Sequence, residues 1–156
     1  MMENHKCINL IEANEILSPI LGDNIEIINF IDYAEDENFF LVKQLKNWEE
    51  KDDIDILEEI DFKRYQLGEV IVLNDFLYEK KIAFLLGSKD IDSFLDWYFK
   101  KYNSCFIDGD TIFFSISKKE MLLFNHDGYL MVYKLPIKLI EKGIEKYINF
   151  KAKHKL

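Results

Sequence analysis

The alternation of apolar and polar residues along the chain predicts both strands and helices. Ile25-Glu26-Ile27-Ile28-Asn29-Phe30-Ile31-Asp32-Tyr33 is β-branched and aromatic, which predicts a strand. Polar residues 34–38 and a second apolar run, Phe39–Leu45, complete a hairpin. Upstream, Ile8–Leu17 reads as a short helix that stops before Pro19, because the residue ahead of proline avoids the α region. Residues 48–64 read mostly as helix, with Asn47 as cap and Glu49 and Glu50 in the first turn, where the macrodipole favours acids. Gly68 ends it. Val70–Leu73 and Ile82–Leu86 read as short buried strands around a loop at 74–80.

The clearest helix is Asp90–Tyr102. Ile91, Phe94, Leu95, Tyr98 and Tyr102 recur at i, i+3, i+4, i+7 and i+11, forming one stripe. Ser88 or Asp90 can cap it, and Lys100 and Lys101 suit its last turn. A four-strand antiparallel meander follows: Ser104–Ile107, Asp110–Ile116, Glu120–Phe124 and Tyr129–Lys134, linked through Asp108-Gly109, Ser117-Lys118-Lys119 and Asn125-His126-Asp127-Gly128. Pro136 opens a last helix with the stripe Ile137, Ile140, Ile144, Tyr147 and Ile148. The expectation is one α+β domain over residues 1–156, an antiparallel β-meander sheet with helices packed on one face.

Composition narrows the class. The chain is 49% hydrophobic and 15% aromatic over 156 residues, which excludes a disordered protein. A chain of this size buries about 70% of its extended surface. No run reaches the roughly 18 apolar residues of a membrane span, and Met1–Cys7 lacks the look of a signal peptide. A soluble, cytoplasmic protein is expected. Cys7 and Cys105 are too few for a four-Cys zinc site or a disulfide scaffold. They are expected to be free thiols, with a single disulfide as the alternative.

Charge changes the picture most. The net charge is −9, but residues 1–80 hold 20 acids and seven bases, while residues 81–156 hold nine acids and 13 bases. Overall acidity argues against nucleic acid as partner, since phosphate contacts need Lys and Arg. Between 35 and 61 lie eleven acids: Glu35, Asp36, Glu37, Glu49, Glu50, Asp52, Asp53, Asp55, Glu58, Glu59 and Asp61. Only Lys43, Lys46 and Lys51 oppose them. Such a run is either a solvated helix face or a patch that steers a basic partner.

No catalytic, cofactor or metal site is expected. His126 sits in a turn that hairpin geometry explains without chemistry. A His–Asp pair would also need a nucleophile nearby. Cys105 reads as a small buried apolar residue. Asp52-Asp53-Ile54-Asp55 resembles a calcium loop, but no glycine lies between Gly22 and Gly68 to make its turn. Phosphate loops, dinucleotide fingerprints and nucleophile elbows are absent.

The residues expected to bind a partner are Glu49, Glu50, Asp52, Asp53, Asp55, Glu58 and Glu59 as rim charges. Trp48 is a candidate anchor, because tryptophan brings apolar area with a polar tip. Reversing Asp52, Asp53 and Asp55 to Lys is expected to slow association and spare the fold. On the Glu35–Asp61 run, its small size and its acidity, the chain resembles the immunity proteins of bacterial polymorphic-toxin and contact-dependent inhibition systems. The resemblance implies a non-enzymatic protein that caps a basic, nuclease-type toxin domain. It is one of class: the Trp/Gly/Pro pattern of the large immunity family related to a yeast cell-wall regulator is missing, which leaves the cognate toxin open. The alternatives are a small enzyme with a pocket between sheet and helices, or an oligomeric accessory protein.

Overall fold

A computed structural model describes residues 4–21 and 39–135. The predicted strand at 25–33, the helix after Pro136 and the acids Glu35, Asp36 and Glu37 lie outside the described residues. In chain order the elements are β1 (His5–Asn9), α1 (Leu10–Leu21), β2 (Phe39–Gln44), α2 (Asp53–Glu59), β3 (Glu69–Asn74), α3 (Asp75–Lys80), β4 (Ile82–Gly87), α4 (Ile91–Tyr102), β5 (Thr111–Ser115), β6 (Glu120–Phe124) and β7 (Tyr129–Lys134). Short 3₁₀ turns cover Trp48–Glu50, Phe62–Tyr65 and Ser88–Asp90. The strands form one antiparallel sheet in the order β1-β4-β3-β5-β6-β7-β2. The fold is α+β, as the sequence pattern predicts.

Register shows how the core is divided. Phe84, Val72, Phe113, Leu122 and Val132 sit opposite one another across β4, β3, β5, β6 and β7, so they share a face. On that face Phe84 packs on Phe94 of α4 at 5.3 Å, and Phe113 on Phe62 at 5.0 Å. The neighbouring row, Ile71, Phe114, Met121 and Tyr133, points the other way and is fully buried too. Both rows of the sheet are therefore buried.

Several elements differ from the sequence reading, each for a physical reason. The helix expected to stop before Pro19 runs through it to Leu21. Pro19 forfeits one bond of the helical ladder near its end, and the burial of Ala13, Leu17 and Ile20 at i, i+4 and i+7 offsets that loss. Residues 48–64 are not one helix. Asn47 adopts a left-handed φ of 58° and makes no side-chain cap, whereas Asp52 accepts the Asp55 N–H at 2.9 Å and starts α2. The expected loop at 74–80 contains α3, because Asn74 Oδ1 accepts the Leu77 N–H at 2.8 Å and Leu77 is buried. The meander has three strands, not four: Ser104–Ile107 is irregular. The Asp53 carboxylate takes the N–H groups of Phe106 and Ile107, the donors a strand would have used.

Candidate protein-binding face

The acidic stretch is organised by α2 and the turn before it. Asp53, Ile56, Leu57 and Ile60 recur at i, i+3, i+4 and i+7 and are all buried. Helical geometry turns Asp52, Asp55, Glu58 and Glu59 outward, and all four are exposed. Glu49 and Glu50 extend the exposed row from the 3₁₀ turn. Residues 49–61 carry eight acids against one base, Lys51.

Not all of this charge is available. Glu59 Oε1 pairs with Lys51 Nζ at 2.6 Å, and Lys43 Nζ donates to the Glu59 carbonyl at 2.9 Å. The hydrogen bond to Glu59 raises the Lys51 pKa, so the pair stays ionic. Asp61 has Arg64 at 3.9 Å. Among the described residues, no cationic nitrogen lies within 4.0 Å of the carboxylates of Glu49, Glu50, Asp52, Asp55 or Glu58.

Two of the expected site residues leave the patch. Trp48 is 6% exposed; its indole N–H donates to the His126 carbonyl at 3.2 Å, and its ring meets Phe124 edge-on at 5.5 Å. It anchors the 3₁₀ turn to the β6–β7 hairpin and offers no face to a partner. Gly128 makes this approach achievable: its φ is +85°, and a Cβ there would stand 2.7 Å from the Trp48 ring and 2.5 Å from the Leu45 carbonyl.

Asp53 is 5% exposed, and its two oxygens accept the Phe106 and Ile107 N–H groups at 2.8 Å each. Burial pushes its pKa up, and the two backbone hydrogen bonds partly oppose that. Asp53 is therefore a buried tether and not a rim charge. Asp52 is exposed but also caps α2, so it serves both the helix and the patch.

The tether has a counterpart that sequence reading missed. Buried Asn74 donates through Nδ2 to the Phe106 carbonyl at 2.8 Å and to the Tyr98 hydroxyl at 3.1 Å. Phe106 is thus held at its N–H by Asp53 and at its carbonyl by Asn74, locking α2, α4 and the end of β3 together. The available signals were the α2 stripe, which includes position 53, and an Asn placed three residues before buried Leu77.

The remaining candidates behave as structure. Asp110 Oδ1 accepts the His126 backbone N–H at 2.9 Å and lies 3.0 Å from Nδ1. Asp110 N–H donates to Asp75 at 3.3 Å, which joins the loop before β5 to the start of α3. Burial, together with the Asp110 charge, raises the Asp75 pKa. Asn125 Oδ1 accepts the N–H groups of Asp127 and Tyr129 at 3.0 Å, which confirms the turn reading. Cys7 and Cys105 are both free, and burial raises the Cys105 thiol pKa, which disfavours the reactive thiolate. Among the described residues no three His, Cys, Asp or Glu side chains converge as a metal site, and no helix is long and apolar enough to cross a membrane.

Hollows occur among the described residues. A groove of about 190 Å³ lies between α2 and α4, and a pocket of about 120 Å³ lies beside Asn74, Tyr98 and Cys105. No family model, curated protein or solved structure matches the chain. The functional reading therefore rests on the chemistry of the α2 face.

Proposed function

We propose that this chain is a cytoplasmic binding module that neutralises a basic, nuclease-type toxin domain through the outer face of α2, as an immunity protein does. The observation that supports it is the row Glu49, Glu50, Asp52, Asp55 and Glu58. These carboxylates are exposed, lack a described counter-ion and stand on α2, its cap and the preceding 3₁₀ turn, with α2 tethered from beneath by Asp53 and the turn anchored by Trp48. A nuclease site is basic because it binds phosphates, and a fixed row of carboxylates offers that site the same sign of charge. Complementary charge speeds encounter and rejects partners of the wrong sign. Tethering lowers the ordering cost on binding, because the row is preformed.

The test is titration of the protein against the basic nuclease domains encoded by neighbouring genes, at low and high salt. A one-to-one complex that abolishes nuclease activity, with association slowed by salt, supports the reading. Absence of a complex at low salt overturns it.

A further inference from the structure

We infer that the groove between α2 and α4 seats an arginine side chain of the basic partner, an inference that rests on the function proposed above. Its floor is apolar, made by Ile54, Leu57, Phe62 and Ile91. Its rim is charged, made by Glu58, Asp61, Asp92 and Lys63. An apolar floor under three carboxylates and one ammonium fits a side chain with an aliphatic stem and a cationic head.

The surroundings favour this occupant. Ile54, 38% exposed, lines the groove and offers its side chain to an aliphatic stem lying there. The chain's own Lys63 already reaches across the rim to Asp92 at 3.7 Å, with side chains 81% and 57% exposed. A contact that long and that wet is readily displaced, and it shows that an alkylammonium can reach this rim. Glu58 has no described cation, and the chain's own Arg64 stands 3.9 Å from Asp61 with both side chains exposed, so a guanidinium already reaches this rim. A planar guanidinium suits such neighbouring carboxylates better than a compact, strongly hydrated ammonium does.

The experiment titrates N-acetyl-arginine methylamide into the full-length protein with isotope-labelled isoleucine methyl groups, read by NMR. Blocked citrulline serves as the uncharged isostere and blocked lysine as the alternative cation. Saturable shifts at Ile54 and Ile91 are expected with arginine, weaker with lysine and absent with citrulline. Glu58→Gln, an exposed change that leaves the floor intact, should weaken arginine binding about two- to fivefold. Equal shifts from citrulline, equal affinity for lysine, or silence of Ile54 and Ile91 would each overturn the groove assignment. None of these touches the titration against the toxin domain, so the groove can fail while the acidic-face reading stands, and the reverse.

Discussion

Asp53 and Asp55 stand two residues apart in α2, and a charge count treats them alike. Asp53 faces inward, is 5% exposed and spends both oxygens on backbone N–H groups more than 50 residues along the chain. Asp55 faces outward and has no described cation. The same pairing recurs at Trp48 and Glu49, one buried against Phe124 and the other in solvent. Helical phase, not composition, decides which acids hold the fold and which are free to meet a partner.

The sharpest way to break that division is Trp48→Ala. It should lower stability by about 4 kcal/mol, as removal of a buried aromatic does, measured by urea denaturation. If Trp48 were an anchor, stability would hold and binding would fail instead.

Asp53→Ala comes next. It leaves two buried N–H groups without an acceptor and should cost about 3 kcal/mol in the same assay. Asp53→Asn keeps one acceptor and should cost roughly half as much. A cost below about 0.5 kcal/mol would show Asp53 to be an ordinary surface acid.

The pH dependence sharpens the point. Burial raises the Asp53 pKa in the fold above its unfolded value, so the folded state holds the proton more tightly. Its contribution must then grow as pH falls through the folded value and reach its full size below the unfolded one. The stability gap between the wild type and Asp53→Asn should widen as pH falls through the folded value towards the unfolded one. A gap that narrows on acidification would show that the two backbone hydrogen bonds outweigh burial at Asp53.

The smallest of these stability effects belongs to Asp52→Ala, which removes the α2 cap and should cost about 1 kcal/mol. The triple reversal of Asp52, Asp53 and Asp55 is consequently a poor probe of binding, since two of its three positions hold the fold. Glu49, Glu50, Asp55 and Glu58 are the appropriate set.

Much of the fold was legible in local pattern. The α4 stripe needs only its own twelve residues, and the β5–β6–β7 meander is marked by Ser117-Lys118-Lys119 and Asn125–Gly128. What escaped depends on distant partners. His5–Asn9 is a strand because it pairs with Ile82–Leu86, not because five mixed residues announce one. Cys105-Phe106-Ile107 looks like a strand until Asp53 takes its donors. At the candidate site the acid run was plain, but its sidedness was not. Position 53 belongs to the apolar stripe of Ile56, Leu57 and Ile60, and its charge disguised that phase.

The most direct measurement compares association of the wild type and the Glu49/Glu50/Asp55/Glu58→Lys variant with the basic partner proposed above, by stopped-flow across a salt series, with stability from urea denaturation recorded alongside. The account predicts an unfolding free energy within about 1 kcal/mol of wild type and an association rate at least about tenfold lower, converging with wild type as salt rises. An unchanged association rate in a folded variant would contradict it.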